Sequence, residues 1–107
     1  MKAFEIAQLQ SERERVNRPY LEFLRAPTLS AGLYVLPAGG TDPQKPHTED
    51  EVYYVVKGRA AVWVGGENRP VQEGSVIFVP AGVPHHFHAI AEELSLLVFF
   101  APAERLP

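Results

Sequence analysis

The chain has 107 residues and a formal net charge of −3 at neutral pH, with 46% hydrophobic and 21% charged residues. This length supports one modest hydrophobic core, and the composition is ordinary for a folded domain, which argues against disorder. The basic residues are scattered, so we expect no nucleic-acid partner. The absence of cysteine excludes disulfides and thiolate chemistry and leaves histidine and carboxylate as the strong metal ligands.

The first 27 residues differ in composition from the rest, and we predict an N-terminal extension at 1–27 and a single folded domain at 28–107. The mixed charges of residues 11–15 indicate a solvated loop or a short helical turn. Farther along, apolar side chains predict an added strand or a contact between two copies, and we expect a homodimer. These apolar residues are Tyr20, Leu21, Phe23 and Leu24. No apolar signal core or membrane-length stretch is present, so we expect a cytoplasmic protein.

After residue 27, prolines and glycines recur at short intervals and leave no room for a long helix. Between them lie short runs that are rich in β-branched and aromatic residues, which is typical of strands. The predicted strands cover residues 29–36, 51–56, 60–64, 75–79, 85–90 and 94–100. Many short strands separated by turns predict an all-β sandwich or barrel.

Histidines occur in two places, both at junctions between a turn and a predicted strand. His47 precedes one strand, and His85, His86 and His88 begin another. Because side chains alternate along a strand, His85, Phe87 and Ala89 share one face, and an inward His85 places His86 and His88 on the outer surface. By the same alternation Glu51 faces inward, where an unpaired carboxylate is costly unless it is paired or coordinated.

The second of these regions resembles a motif of the cupin family, in which Gly, Pro, Gly, His and Asn follow at set intervals. Gly74, Pro80, Gly82 and His85 keep every interval of that motif, whereas the final asparagine position holds Ala89. The sequence is therefore similar to a small single-domain cupin of the RmlC-like type. The resemblance implies a double-stranded β-helix, or jelly-roll barrel.

The first cupin motif is matched in part. Glu51 and Gly58 keep the family's interval, and His47 lies where the second histidine belongs, but Lys45 occupies the position of the first histidine. The resemblance therefore implies His47, Glu51 and His85 as ligands of a divalent Fe, Mn, Zn or Ni ion. A protonated lysine is a poor ligand, and Gln44 or Glu49 could supply a fourth oxygen.

A metal with vacant positions would bind a small polar molecule at the barrel mouth, and cupins of this kind include dioxygenases, isomerases and lyases. The residues that we expect near that molecule are Lys45, Gln44, Tyr53, Trp63, Phe87 and Phe99. Two alternatives remain open. The protein could bind or sense a small ligand without catalysis, and Lys45 could pair with Glu51 in a barrel without metal.

Overall fold

The computed structural model describes residues 1–105, which form one helix and six strands. The elements are α1 (Ile6–Val16), β1 (Tyr20–Ala26), β2 (Leu29–Leu36), β3 (Asp50–Val64), β4 (Glu67–Gln72), β5 (Val76–Val79) and β6 (His85–Ala101). The predicted all-β architecture is confirmed. Within the described residues, the single helix is too short and too polar to cross a membrane.

The two longest strands each join two of the predicted strands. The segments 51–56 and 60–64 form β3, and the segments 85–90 and 94–100 form β6. The hydrogen-bonded ladder between β3 and β6 has register shifts near Lys57 and Arg59. The strand therefore continues through Gly58 with irregular pairing. Gly58 has φ 102°, and a Cβ there would lie 2.3 Å from the carbonyl oxygen of Glu93. Glycine is required at this close approach.

The sequence did not predict β4. This strand is polar, contains Pro70 and buries only Val71, so it lacks the alternation that identifies a strand with one buried face. It lies at the end of the sheet, where proline is tolerated because one side needs no hydrogen bonds. Its partner is the second half of β3.

All strand pairs are antiparallel, and the order along the sheet is β1, β2, β6, β3, β4, with β5 also paired to β3. β6 lies at the centre because it pairs with β2 through residues 94–100 and with β3 along most of its length. The two chain segments that carry the predicted ligands, the start of β3 and the start of β6, therefore belong to one rigid sheet.

The principal core lies on the inner face of this sheet and includes Tyr53, Val55 and Phe87. A smaller core lies on the other face of β2, where Leu33 and Val35 contact Leu9 of the helix. The helix corrects our prediction for residues 11–15, because they belong to an 11-residue helix and not to a loop or short turn. Burial of Leu9 on one side outweighs the charge of the other side.

The N-terminal extension is built into the fold. Tyr20 and Leu21 of β1 pair with β2, and Phe23 packs on the smaller core. Part of the extension thus forms a strand of the same sheet. Because contacts within their own chain leave these side chains half-buried, they supply a weaker argument for association, and the homodimer stays a prediction. After the terminal Met1, the most exposed large apolar side chains are Val76 at 66% and Phe78 at 57%.

Candidate metal centre

His47, Glu51 and His85 come together on the inner face, although Glu51 and His85 lie at opposite ends of the β3–β6 ladder. Each offers a ligand atom, and the three atoms lie within 4.8 Å of one another. Glu51 is the second residue of β3 and is paired with Val79 on one side and Phe100 on the other. His85 is the first residue of β6, and His47 lies in the segment that leads into β3. The three predicted ligands are thus adjacent, as their spacing in the two motifs implied.

Each imidazole has an oxygen atom close to its Nδ1. His85 Nδ1 lies 2.9 Å from the carbonyl oxygen of Val83, so a proton on Nδ1 donates to that carbonyl and Nε2 keeps its lone pair. His47 Nδ1 lies 3.4 Å from Glu104 Oε2. A carboxylate or carbonyl that accepts from one ring nitrogen is the usual support for a metal-binding histidine. In this tautomer both rings present Nε2 to the centre.

The carboxylate of Glu51 is the most unusual group in the interior. It is 1% exposed, and neither of its oxygens has a hydrogen-bond partner, although Oε1 lies 3.1 Å from His85 Nε2. A buried polar group without a partner costs about 1–3 kcal/mol, and a charged one costs more. A cation held between this carboxylate and the two imidazole lone pairs would remove that cost, so these donors fit a metal ion.

The pKa of His85 also reflects the negative charge of Glu51. Burial lowers this pKa, but the Glu51 carboxylate and the Val83 carbonyl raise it, and the net shift is upward. A site that favours a proton on the imidazole favours any cation placed there. Burial also raises the pKa of Tyr53 well above its usual value, with Glu51 adding to the effect, so this phenol stays protonated.

A chain of hydrogen bonds holds the loop before β3 against the centre. Tyr53 Oη donates to Gln44 Oε1 over 2.8 Å, and Gln44 Nε2 donates to Asp42 Oδ2 over 2.8 Å. Asp42 also accepts from the Tyr34 hydroxyl at 2.8 Å and from the Phe87 backbone N–H at 3.0 Å. Because its N–H group is engaged by Asp42, the Gln44 amide turns its oxygen toward His47 Nε2, 3.3 Å away. In the tautomer that leaves Nε2 unprotonated, both atoms present lone pairs to the centre.

Gln44 therefore occupies the place beside the centre that the sequence motif assigned to position 45. Lys45 is exposed. Within the described residues Glu51 contacts His85 instead, and no ion pair joins Lys45 to Glu51. Glu49, the other candidate for a fourth oxygen, is buried elsewhere and accepts from Thr48 and from the Arg105 backbone. These contacts outweigh burial and lower the pKa of Glu49.

A pocket of about 190 Å³ opens beside His47. Its lining residues are Tyr20, Tyr34, Gln44, His47, Val98, Phe100 and Glu104. Of the residues that we expected near a bound molecule, only Gln44 lines this pocket. Tyr53 and Phe87 lie beneath it in the core, with their rings in edge contact at 4.9 Å.

Two expected pocket residues lie elsewhere. Alternation from Tyr53 would place Trp63 on the inner face, but the register shifts near Gly58 interrupt the alternation. Trp63 therefore lies on the outer face, with its ring 5.3 Å from that of His86. Phe99 follows the alternation of β6 and points away from Phe100, toward the helix side. Neither residue contributes to the pocket.

The sequence analysis missed Glu104, which follows the last strand. Its backbone N–H donates to Ser30 Oγ over 2.8 Å, and its carbonyl accepts from Arg25. These two bonds fold the tail back over the sheet and place the carboxylate beside His47. No motif and no periodicity indicates such a contact. Tyr34 could have been found, because it shares the inward alternation of Leu36 on β2.

Comparison with known proteins agrees with this geometry. The family model for the cupin domain matches residues 32–100. An uncharacterized protein of Streptomyces coelicolor is 56% identical over 104 residues, which cover 97% of this chain and 99% of that protein.

Two solved structures are similar over most of the chain. A Bacillus halodurans protein has a TM-score of 0.79 at 21% identity, with 99% of this chain and 85% of that chain covered. An RmlC-like cupin with a double-stranded β-helix fold from Methanocaldococcus jannaschii has a TM-score of 0.70 at 20% identity, with 78% of each chain covered. At these identities the structures indicate the fold alone, and that fold is the predicted one.

Proposed function

The chain belongs to the cupin family, and we propose that it is a metal-binding cupin in which His47, Glu51 and His85 hold a divalent ion. The ion would bind a small oxygenated molecule in the adjoining pocket. The two imidazole nitrogens and one carboxylate oxygen are the donors that Fe, Mn, Zn and Ni accept, and three protein ligands leave coordination positions for other groups.

The unpartnered carboxylate of Glu51 carries this proposal. A proton on His85 Nε2 is the other possible occupant of the gap between His85 and Glu51. Such a proton could partner only one oxygen of Glu51, whereas both oxygens are buried without a hydrogen bond. It would also leave the lone pair of His47 unused. A metal ion engages all three groups at once.

The bound ion would act as a Lewis acid toward an oxygen of the ligand. The other residues have separate tasks. Gln44 holds its amide oxygen beside His47 and could add a fourth donor. Glu104 Oε2 lies 3.4 Å from His47 Nδ1, so its charge favours a proton on that nitrogen and leaves Nε2 free for the ion. Tyr53, with its raised pKa, remains a protonated hydroxyl beside His85. Phe100 contacts the ring of His47 at 4.9 Å and excludes water from that side.

The reaction classes expected from the resemblance make different demands on this centre. Dioxygenation requires a redox-active ion and consumes oxygen, whereas isomerase or lyase chemistry proceeds with manganese, zinc or nickel and is indifferent to oxygen. A cupin that binds a ligand without turnover would show neither activity. Oxygen uptake and product analysis with each ion in turn separate these classes.

Metal titration tests the ligand set. We expect calorimetry on the metal-free protein to give one site per chain. His47→Ala and His85→Ala should each weaken binding by more than the roughly 10–100-fold that the loss of an outer-sphere partner costs. Lys45→Ala is the matched control, because it removes an exposed charge two residues from His47, and its affinity should be unchanged or higher.

The proposal is wrong if the wild type binds none of the four ions. It is also wrong if Lys45→Ala loses as much affinity as His47→Ala. Circular dichroism of each variant separates the loss of a ligand from the loss of the fold.

A further inference from the structure

We propose that two copies of this chain form a homodimer through the helix side of the sheet, which is the face on which α1 packs. The contact uses four apolar side chains of β3 and β5 that the helix leaves uncovered, here called the open patch: Val52, Tyr54, Val76 and Phe78. The metal centre lies on the inner face of the same sheet, so this inference is independent of the proposed function.

Strand pairing arranges the apolar side chains of the helix side in two rows. Directly opposite residues of an antiparallel pair point to the same face, so the register defines the members of each row. One row runs through Phe78, Val52, Phe99 and Ala31, and the other through Val76, Tyr54, Leu97 and Leu33. No charged residue interrupts either row. An antiparallel sheet often turns a polar face to water, so these rows indicate a face that is covered.

The chain itself covers only one end of the two rows. Leu9 of α1 packs on Leu33, which has no exposed surface, and the helix lies over β1 and β2. At the other end Phe78, Val76 and Tyr54 remain exposed. From the end of α1 to the last described residue, these three are the only exposed large apolar side chains. A contiguous exposed apolar patch of this kind marks an interaction surface.

The partner that fits the open patch is a second copy, because the same face also carries an apolar groove. The groove has a volume of about 340 Å³ and lies between the first residues of the chain and β6. Leu97 and Phe99 line the groove and belong to the two rows, so the groove adjoins the patch. A cavity of about 150 Å³ admits benzene, so the groove has room for the ring of Phe78. A face with both a projecting ring and a groove is complementary to its own copy across a two-fold axis.

The strand order allows this arrangement. A two-fold axis parallel to the strands and between β3 and β6 would bring β5 of each copy onto the groove of the other. The helix of each copy would then lie beyond the edge of β5 in the other copy. Within the described residues β5 pairs with β3 alone, so no strand of its own chain occupies that place.

The exposed area is sufficient for a dimer of moderate affinity. An aromatic side chain offers about 150–250 Å², so the exposed parts of Phe78 and Tyr54 amount to roughly 100 Å² each. Val76 and the groove lining extend this area to roughly 600 Å² per copy, which places the total at the lower limit of stable interfaces. We therefore expect a dissociation constant in the micromolar range.

Sedimentation velocity tests the contact. The wild type should be mostly dimeric at about 100 µM and mostly monomeric at about 1 µM. Phe78→Ala should weaken the dimer at least about thirtyfold, as the loss of a buried aromatic anchor does. Phe78→Lys should be monomeric at both concentrations, because it places an ammonium group in an apolar groove whose only charged lining residue is Lys2. Val16→Lys is the matched control, since this exposed valine of α1 lies outside the patch and the groove.

Thiol labelling identifies the two parts of the interface. The chain has no cysteine, so each introduced cysteine reports on one position. Val76→Cys in the patch and Ala3→Cys in the groove should each react with Ellman's reagent at least about threefold more slowly at about 100 µM than at about 1 µM. Val16→Cys should react at the same rate at both concentrations.

A wild type that is monomeric at about 100 µM overturns the proposal. If that monomer binds vesicles of phosphatidylcholine and phosphatidylglycerol, the patch belongs to a lipid surface instead. A dimer that persists in Phe78→Lys also overturns it, because the contact then lies elsewhere, as do equal labelling rates at both concentrations for Val76→Cys and Ala3→Cys. Circular dichroism checks the fold of each variant. If Phe78→Lys unfolds, Tyr54→Ser takes its place and should weaken the dimer about tenfold.

Discussion

The inner and outer faces of β6 carry histidines in contrasting surroundings. On the inner face, His85 is buried with its Nε2 directed at the unpartnered carboxylate of Glu51. On the outer face, His88 Nε2 lies 2.7 Å from the side-chain oxygen of Asn68, and His86 is exposed beside Trp63. The outer histidines have partners or water and need no metal. His85 is therefore a ligand candidate because it is buried beside an unpartnered carboxylate, and the outer histidines are not.

The largest difference between the faces should be in stability. Phe87 is 1% exposed and packs against Tyr53, so Phe87→Ala should lower the free energy of unfolding by about 3–5 kcal/mol. Trp63→Ala removes a larger ring from the outer face, where part of the ring remains in water, and should cost less than about 1.5 kcal/mol. Urea unfolding of the two variants gives both values, and equal losses would contradict the assignment of the faces.

The second difference concerns the effect of metal on unfolding. A ligand at 100 times its dissociation constant stabilises a protein by about 2.7 kcal/mol. We expect this gain in the wild type and its loss in Glu51→Gln, which keeps the shape and removes the charge. His86→Ala on the outer face should retain the full gain. If thermal unfolding shows that Glu51→Gln is stabilised as much as the wild type, then Glu51 is not a ligand.

The smallest effect should come from Ala89, where the regular alternation of inward and outward side chains along β6 is interrupted. Ala89 has φ 49°, a conformation that favours glycine and asparagine, and Ile90 takes the inward position after Phe87. We therefore expect Ala89→Gly to stabilise the protein by about 0.5–1 kcal/mol. Ala91→Gly in the same strand is the control and should destabilise it. Urea midpoints at equal m-values decide the sign.

Ala89 also explains one error in the sequence analysis. Simple alternation placed Ala89 on the inner face with His85 and Phe87, but the left-handed residue turns that position outward. The cupin motif has asparagine there, a residue that tolerates this conformation. The motif thus contained the information that the alternation of hydrophobic residues did not.

Lys45 and Gln44 illustrate a second limit. The segment before β3 has no repeating backbone geometry, so counting residues back from Glu51 could not determine which side chain turns inward. The direction is decided by the hydrogen bonds of Asp42 and Tyr53, which hold Gln44. Neither Asp42 nor Tyr53 is one of the residues that the motif specifies.

The sequence by itself determined the all-β fold, because strand propensity and turn spacing are local properties, and its resemblance to the cupin motifs implied that His47, Glu51 and His85 lie together. It also separated His85 from His86. Only the tertiary structure decided what surrounds those ligands. Tyr20 and Glu104 reach the pocket from the two ends of the chain through a strand pairing and two backbone hydrogen bonds. Such contacts depend on the path of the whole chain, which no local pattern encodes.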